Sequence, residues 1–398
     1  MKLRLLSKTK SLKGKRVLVR VDWNIPLKGE LRSESLLKVE RSLGTLRDLS
    51  KRGARVVVLT HLGRPKGKEA AFSTRHLVPI LKRYFGMTLI MHEERISHPR
   101  ERARVHEALW TAKPGSIHLL ENVRFEAGEE KNDSALAKAY AEIGDLFIND
   151  AFASCHRAHA SVVGVAKMLP AYAGAALVAE VRALSRLIDQ PRRPLVAVIG
   201  GKKLSTKIPV LQSLLRHCDY VLIGGAMATT FSAAKGQSVG RSFVDHDAFR
   251  MARRLGRDPK IALPIDVAVS TKLVGGRRKV VALDHIKQDE MVFDMGPQTL
   301  LAWNSVFRSA KTILWNGPVG VDEQEPWDRG SKALARLLAK RAAVASTFVV
   351  AGGGDTIPVI AATKTMKKFD YVSTGGGALL EFIAKNGKLP GLVGLMRK

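Results

Sequence analysis

The segment LVAVIGGKKLSTKI, residues 195–208, decides the fold, because an apolar, β-branched run passes directly into glycine and then into basic and hydroxyl residues. A run of five apolar residues that ends in turn residues predicts a buried strand. The loop that follows, up to Ile208, holds two glycines, three lysines and two hydroxyls, with no acidic residue. Taken alone, it allows three interpretations: a phosphate-binding loop, a patch for nucleic acid, or a solvated basic turn.

The same alternation of short β-branched runs and longer segments of helical period continues along the chain, which predicts βα units and a mostly parallel, doubly wound sheet. In the segment Leu36–Lys51 the apolar residues recur at steps of three and four, and Gly53 is expected to end that helix. The predicted strands are Val17–Val21, Val56–Thr60, Ile117–Leu120, Leu146–Ile148, Leu195–Ile199, Tyr220–Ile223, Thr312–Trp315, Phe348–Ala351 and Tyr371–Ser373.

The strand ends differ in chemistry between the two halves of the chain. In the first half they run into polar residues, in VRVDWN, LTHLGRP, ENVRF and INDAF. In the second half they run into glycine, in VIGGKK, LIGGAM, WNGPVG, VVAGGGDT and VSTGGGA. Open α/β sheets bind ligands outside the carboxyl ends of their strands. The sequence therefore predicts two lobes with different ligands, and the helical segment with a Pro/Arg-rich exit at Pro170–Arg192 is the expected boundary.

Composition is that of an ordinary globular protein. The chain has 398 residues, 45% of them hydrophobic and 26% charged, and at about 150 residues per domain this length predicts two to three domains. Cys155 and Cys218 are the only cysteines, too few for a disulfide framework, which favours a reducing cytosolic compartment. A transit peptide is not expected, because the first predicted strand already begins at Val17.

The net charge of +30 and pI near 10.4 are unusual. A field of this sign attracts nucleic acid, anionic membranes and phosphorylated metabolites. A generally basic surface without a specific partner is an equal alternative, because Lys and Arg are spread along the whole chain. The sequence lacks a block of five or six like charges, an RNP-type aromatic motif and zinc-finger spacing. A dedicated nucleic-acid domain is therefore not indicated.

The glycine-ended strands favour phosphate binding. Glycine lets the backbone approach a phosphate closely, and the amides that open the next helix point at the anion. In GGGDT, Asp355 is a candidate ligand for Mg²⁺, directly or through water, and Thr356 could cap the helix or bind phosphate. One such run could be a tight turn, but five clusters in one half are harder to dismiss. Walker A and GxGxxG sequences are both missing, so neither a P-loop nor a dinucleotide site is implied.

The other lobe offers arginine and histidine at its strand ends. THLGRPKGK contributes His61 and Arg64, and Arg124 follows another strand. Arginine matches carboxylate and phosphate oxygens with two parallel hydrogen bonds, so converging arginines favour a small dianionic substrate. Each could equally be a solvated or structural residue when taken singly. The remaining candidates in this lobe are Asp22, Asn24, His156, Arg157 and His159.

Taken together and in order, these motifs resemble one family, phosphoglycerate kinase, over essentially the full length. The motifs are GKRVLVRVDWNIP, THLGRP, LLENVRFEAGEEKND, NDAFASCHRAHAS, GGKKLSTKI, LIGGAMA, DMGPQT, WNGPVGVDE, VAGGGDT and VSTGGGALLE. The resemblance implies an α/β fold of two Rossmann-like, doubly wound lobes joined by a hinge helix. It implies a phosphotransferase with a carboxyl group acceptor, which moves a phosphoryl group reversibly between 1,3-bisphosphoglycerate and ADP in glycolysis and gluconeogenesis, with Mg²⁺.

The resemblance also implies a division of the chain. Residues 1–172 would form the 3-phosphoglycerate lobe, residues 173–192 the hinge helix, and residues 193–385 the nucleotide lobe. The tail, residues 386–398, would pack back on the first lobe. The protein would be a cytoplasmic monomer with small-molecule substrates and no membrane association, and nucleic acid would bind only non-specifically to its basic surface.

By position, the resemblance assigns three groups of residues. Catalysis would rest on Lys38, Lys203, Lys207, Gly354 and Gly375. The substrate would be bound by Asp22, Asn24, Lys38, His61, Arg64, Arg124 and Arg157. The nucleotide would be bound by Gly201, Lys203, Lys207, Gly224, Gly225, Asn316, Pro318, Glu323, Gly353, Gly354, Asp355 and Thr356, with the metal at Asp355 and Glu323 on the ribose.

The sequence departs from the family pattern in three motifs. Lys38 replaces an arginine, which keeps the charge but loses the bidentate fork, and Arg41 could compensate in part. In GGKKLSTKI, Lys202 replaces a small residue and Thr206 replaces an acid near the metal. Asp322 takes an aromatic position beside Glu323. These changes leave two alternatives to an active phosphoglycerate kinase. One is a phosphoglycerate-kinase-like protein with weakened activity that binds nucleotide or nucleic acid, and the other is a kinase for another small carboxylic acid.

Overall fold

The structure is a computed structural model that describes residues 1–7, 11–27 and 31–397. The chain divides into two compact units, Met1–Arg182 with Lys388–Lys398, and Ala183–Gly387. Lys398, the last residue of the expected tail, lies outside the described residues, as do residues 8–10 and 28–30 of the expected first lobe.

The first unit is built on a six-stranded parallel sheet with the strand order β3-β4-β2-β1-β5-β6. Its strands are β1 (Arg16–Arg20), β2 (Arg55–Leu59), β3 (Ile90–His92), β4 (Ile117–Leu120), β5 (Leu146–Asn149) and β6 (Ala171–Ala173). Its helices are α1 (Ser33–Lys51), α2 (Leu77–Phe85), α3 (Pro99–Thr111), α4 (Ser134–Glu142) and α5 (Val165–Met168), and α6 (Ala175–Ile188) crosses the boundary of the two units. The strand order reverses between β1 and β5, which is where open α/β sheets place a ligand.

The second unit repeats this plan with the order β15-β14-β13-β7-β8-β9, all parallel. Its sheet contains β7 (Leu195–Ile199), β8 (Tyr220–Ile223), β9 (Ile261–Ala262), β13 (Thr312–Asn316), β14 (Phe348–Gly352) and β15 (Tyr371–Ser373). Its helices are α7 (Ile208–His217), α8 (Ala226–Ala234), α9 (Phe249–Leu255), α10 (Pro297–Ser309), α11 (Arg329–Ala342), α12 (Thr356–Ala362) and α13 (Gly377–Ala384). Here the order reverses between β7 and β13, and both strands are fully buried.

The α/β class with two parallel sheets is therefore confirmed. Every predicted strand is present, and four have the predicted bounds: Ile117–Leu120, Leu195–Ile199, Tyr220–Ile223 and Tyr371–Ser373. The predicted helix Leu36–Lys51 begins earlier, at Ser33, and Gly53 follows it with a φ of +78°.

A small antiparallel sheet was not predicted. It has the order β11-β10-β12 and consists of β10 (Asp266–Ser270), β11 (Lys279–Ala282) and β12 (Met291–Met295). β11 is largely exposed although its sequence, KVVA, is mostly apolar. The short strands β3, β6 and β9, of two or three residues each, were also not predicted.

The C-terminal segment lies in the first unit. It contains the short helix α14 (Pro390–Val393), and Met396 forms a β-bridge with Leu3. The amide of Gly391 donates to the carbonyl of Cys155 at 2.9 Å. Among the described residues, we find no helix long and apolar enough to cross a lipid bilayer.

Candidate active site

In the first unit, three of the predicted arginines come together. Arg64, Arg124 and Arg157 line one cavity of about 520 Å³. They follow β2, β4 and β5, whose carboxyl ends meet at one edge of the parallel sheet. Because guanidinium groups bind carboxylate and phosphate oxygens in a bidentate way, this cavity is suited to a small anion with several oxygens.

Arg124 ties the strand-end loops to one another. Its Nη1 donates to the carbonyl of Gly63 at 2.5 Å, and the amide of Gly63 donates to Oδ1 of Asn24 at 2.8 Å. Burial lowers the pKa of Arg124; Glu130 opposes that shift, and the nearby charge of Arg157 adds to it. The predicted residues Asn24 and Arg124 are therefore in one hydrogen-bonded network around Gly63.

His61, also predicted, is uncharged near neutral pH. Burial is the main reason that its pKa lies well below the usual value, and the positive charges of Arg20 and Arg124 lower it further. A neutral imidazole carries one donor and one acceptor nitrogen. His61 can thus hydrogen-bond a ligand without adding charge to the cluster.

Lys38 is already engaged in an ion pair. Its Nζ lies 2.8 Å from Oε1 of Glu34, one turn earlier on α1. Burial alone would lower the pKa of Lys38, but the carboxylates of Asp22 and Glu34 outweigh it, and the pKa is raised. Arg41, which could have compensated for the missing arginine, pairs with the buried Glu180 at 2.9 Å.

The sequence analysis did not identify a buried arginine that contacts His61. Arg20, the last residue of β1, is 1% exposed, and its Nη2 lies 3.1 Å from Nδ1 of His61. A charged residue that interrupts the apolar strand sequence RVLVR was the available signal. His159, which the sequence did single out, lies 3.7 Å from the buried Glu129, and burial lowers the pKa of His159 to about 4.

In the second unit, the loops after β7 and β13 meet without side chains between them. The amide of Gly200 donates to the carbonyl of Asn316 at 2.9 Å. A Cβ on Gly200 would overlap the carbonyl of Pro318, so only glycine permits this approach. The predicted residues Asn316 and Pro318 therefore lie beside the loop that opened the sequence analysis, at the reversal of strand order.

The loops after β8 and β14 join the same site. The amide of Gly225 donates to the carbonyl of Val319 at 3.1 Å, and that of Met227 to the carbonyl of Gly201 at 3.2 Å. Gly353 has a φ of +119°, which side chains rarely adopt, and a Cβ there would lie 2.9 Å from Nδ2 of Asn316. The structure thus brings together the predicted glycines that follow three strands of this sheet, β7, β8 and β14: Gly201, Gly224, Gly225 and Gly353.

Lys207 supplies a half-buried cation to this site. Its Nζ donates to the carbonyl of Gly200 at 2.8 Å and to Oδ1 of Asn316 at 3.0 Å. Burial lowers the pKa of Lys207 to about 8, although the carboxylate of Asp355 opposes the shift. The lysine is therefore charged near neutral pH and is available to an anion at the glycine loops.

The other two lysines of this basic loop are more exposed than Lys207. Lys203 and Thr206 are exposed, and Thr206 Oγ1 donates to the carbonyl of Lys203 at 3.0 Å. Lys202 lies with its Nζ 5.0 Å from the centroid of the Phe243 ring. The ammonium of Lys202 is thus engaged in a cation–π contact.

Carboxylates lie at the same edge of the sheet. Asp355 and Glu323 are exposed. Burial raises the pKa of Asp322 to about 6, and the negative charges of Glu323 and Asp355 raise it further. Among the described residues, no three His, Cys, Asp or Glu side chains form a group that could hold a metal. Asp355 alone stays the sequence-based candidate for a metal ligand.

Thr356, Gly354 and Gly375, which were also predicted, differ in burial and in hydrogen bonding. Thr356 is buried, and its Oγ1 accepts from the amide of Gly317 at 2.8 Å. Gly354 is exposed. The amide of Gly375 donates to Oγ of Ser373 at 3.1 Å, so in this structure it is already occupied.

An α/β chain with an arginine-lined cavity in one unit and a cluster of lysine- and glycine-containing strand-end loops in the other has the features expected of an enzyme that acts on phosphate compounds. Comparison with known proteins gives the family. The family model described as phosphoglycerate kinase matches residues 7–386. The chain belongs to the phosphoglycerate kinase family.

Individual relatives agree with this assignment. The phosphoglycerate kinase of Thermus thermophilus is 46% identical over 393 residues, 96% of each chain, and that of a Chelativorans species is 41% identical over 401 residues, 98% of each. Among solved structures, the phosphoglycerate kinase of Coxiella burnetii matches with a TM-score of 0.82 and 36% identity, and that of Pyrococcus horikoshii with 0.83 and 29%; each comparison covers 98% of both chains.

Proposed function

We propose that this protein is an active phosphoglycerate kinase, which transfers a phosphoryl group reversibly between 1,3-bisphosphoglycerate and ADP to give 3-phosphoglycerate and ATP, with Mg²⁺. The observation that carries the proposal is the cavity lined by Arg64, Arg124 and Arg157 in a member of this family. Three converging guanidinium groups suit a ligand with both a phosphate and a carboxylate. Nothing in the described residues or the comparisons favours the alternative of a binding protein.

The first unit would hold 3-phosphoglycerate. The arginines of the cavity would bind its anionic oxygens, and the neutral His61 would donate a hydrogen bond. Asp22 and Asn24 would orient its hydroxyl, and Lys38 would face the transferring group. We assign this role to residues 1–172, with the hinge helix in residues 173–192, the nucleotide lobe in residues 193–385 and the tail, residues 386–398, on the first lobe.

The second unit would hold the nucleotide. Its phosphates would lie on the backbone amides of the glycine loops, where the opening of a helix favours negative charge. The nucleotide-binding residues are Gly201, Lys203, Lys207, Gly224, Gly225, Asn316, Pro318, Glu323, Gly353, Gly354, Asp355 and Thr356. Asp355 fits Mg²⁺ because its exposed carboxylate offers the oxygen ligands that this ion prefers.

The chemistry needs placement and charge neutralisation and no covalent enzyme intermediate. Lys203 and Lys207 would neutralise the charge that develops on the transferring phosphoryl group, and Lys38 would do so from the substrate side. The amides of Gly354 and Gly375 would donate to its oxygens, which requires the Gly375 amide to leave Ser373. Bound Mg²⁺ would supply further positive charge to the nucleotide oxygens. We further propose a cytoplasmic monomer.

The experiment that tests this function identifies the acceptor. In the direction of ATP consumption, the product is an acyl phosphate, which hydroxylamine converts to a hydroxamate that can be measured by colour. We expect hydroxamate with 3-phosphoglycerate and none with glycerate or acetate, since neither of these carries the phosphate that the arginines would bind. Equal yields from glycerate would instead support a kinase for another carboxylic acid, and no hydroxamate from any acid would contradict kinase activity.

A further inference from the structure

A buried chain of polar groups connects a carboxylate to His61. Glu129, which is fully buried, accepts hydrogen bonds from both the amide and the hydroxyl of Ser161, at 2.9 and 2.6 Å. Nε of Arg20 donates to the same hydroxyl at 3.0 Å. Nη2 of Arg20 continues the chain to Nδ1 of His61 at 3.1 Å.

The direction of each hydrogen bond in this chain is fixed by its donors. A guanidinium group has donors only, so Arg20 must donate both to Ser161 and to Nδ1 of His61. Ser161 accepts from Arg20 and therefore turns its own hydrogen toward Glu129, as the 2.6 Å contact shows. Nδ1 of His61 has to be the unprotonated nitrogen. The neutral imidazole must then carry its proton on Nε2.

The buried charge of Arg20 also requires the nearby carboxylate of Glu129. Arg20 is almost fully buried, and a buried cation without a counter-charge is strongly unfavourable. Arg124 adds a second positive charge nearby, and Glu129, followed by Asp22, supplies the negative charge that opposes the effect of burial on the pKa of Arg20. Burial raises the pKa of Glu129, and the charge of Arg20 is the largest influence that lowers it again.

We propose that Glu129 and Arg20 are positioning residues: Glu129 holds Arg20 through Ser161, and Arg20 fixes His61 as a donor, with its Nε2–H directed to an anionic oxygen of the substrate. The inference rests on the proposed function in naming the substrate as 3-phosphoglycerate. Ser161 lies in the single π-helical turn Ala160–Gly164, and such turns are frequent at functional sites because they re-aim local groups. The network is internal to the first unit and does not depend on the nucleotide site.

The direct test is ¹⁵N NMR of histidine-labelled protein without substrate at pH 7, with the His61 signals assigned by His61→Gln. We expect a protonated Nε2 and a bare Nδ1. In Arg20→Met, which removes the donor, we expect Nδ1 of His61 to accept a proton at a higher pH than in the wild type. A proton on Nδ1 in the wild type, or unchanged His61 titration in Arg20→Met, would overturn the proposal.

Arg16→Met is the matched control. Arg16 lies on the same strand, is also buried, and pairs with Asp145 at 2.8 Å. Its loss should leave the His61 signals and substrate binding unchanged. A change of His61 equal to that in Arg20→Met would show that the effect is structural and would overturn the proposal.

Kinetics supply a second readout. Loss of a hydrogen bond to a charged group costs about 1.5–3 kcal/mol, so Arg20→Met should raise KM for 3-phosphoglycerate roughly tenfold or more, with KM for ATP little changed. Ser161→Ala preserves both charges and is the safer variant for folding; it should raise the same KM several-fold. An unchanged KM for 3-phosphoglycerate in Ser161→Ala would refute the link to Glu129. If the protein had no kinase activity but His61 gave the expected signals, the proposed function alone would fail.

Discussion

Nζ of Lys207 lies 3.0 Å from Oδ1 of Asn316, and this side-chain hydrogen bond adds to the backbone bond between Gly200 and Asn316 at the reversal of strand order. The same ammonium donates to the carbonyl of Gly200. A lysine has three donors, and two are used here. The third is available to a nucleotide phosphate, which makes Lys207 the residue whose charge state should control nucleotide binding.

Nucleotide affinity should therefore fall at alkaline pH. Burial lowers the pKa of Lys207 to about 8. Its side-chain amine is therefore mostly charged below pH 8 and mostly neutral above it. We expect ADP to bind most tightly near pH 7 and to lose roughly tenfold in affinity by pH 9.5, with proton uptake on binding above pH 8. Calorimetric titrations from pH 6.5 to 9.5 would measure this. Lys207→Arg, which stays charged, should remove the pH dependence, and a wild-type affinity that is constant across the range would contradict the prediction.

Replacing Lys38 with arginine should improve the substrate side. The single ammonium of Lys38 forms an ion pair with Glu34, with Nζ 2.8 Å from Oε1. An arginine at this position could bind Glu34 with one nitrogen and a substrate oxygen with another. We expect Lys38→Arg to raise kcat/KM for 3-phosphoglycerate several-fold in steady-state assays. Lys51→Arg, the same exchange at the exposed end of α1, is the control and should have no effect. A lower kcat/KM in Lys38→Arg would show that the lysine is the better residue here.

The metal requirement should respond to position 206. Thr206 is exposed and hydrogen-bonds the carbonyl of Lys203, and a carboxylate there would provide an oxygen ligand for Mg²⁺. We expect Thr206→Asp to lower the Mg²⁺ concentration needed for half-maximal activity. Thr206→Asn has nearly the same shape without the charge, so identical Mg²⁺ curves for the two variants would contradict a role for charge.

Gly200 should not tolerate a side chain. A Cβ there would overlap the carbonyl of Pro318, and overpacking of this kind costs about 1–3 kcal/mol. We expect Gly200→Ala to lower the melting temperature and to weaken ADP binding. Gly44→Ala is a useful contrast, because Gly44 is exposed within α1 with nothing within 4 Å of the new Cβ. It should stabilise the protein by roughly 0.5–1 kcal/mol. Normal ADP affinity in Gly200→Ala would argue against the close approach.

The sequence predicted the two parallel sheets because their strands are buried apolar runs, such as Leu195–Ile199, that end at turn residues. It did not predict the antiparallel sheet, whose strand β11 is apolar in sequence (KVVA) but largely exposed in the structure. The residues of the candidate site were likewise predicted in part. Residues at strand ends, such as Arg124, were visible in the sequence.

Contacts that depend on pairing between strands were not visible. Arg20 reaches His61 only because β1 and β2 pair with Arg20 opposite Leu59, and no local pattern specifies that register. The ion pair of Glu34 and Lys38, four residues apart on α1, was not predicted either, because the predicted helix began at Leu36 and left Glu34 outside it.

The central claim is that this chain transfers a phosphoryl group at the glycine loops with the help of Lys203. A coupled assay of ADP formation from MgATP and 3-phosphoglycerate tests it most directly. We predict turnover by the wild type that depends on 3-phosphoglycerate, and a roughly 100-fold or greater loss in Lys203→Ala, the size expected for a group that stabilises transition-state charge. Lys202→Ala, which removes the neighbouring ammonium that lies over Phe243, should retain most of the activity. No 3-phosphoglycerate-dependent turnover at high enzyme concentration would contradict the account.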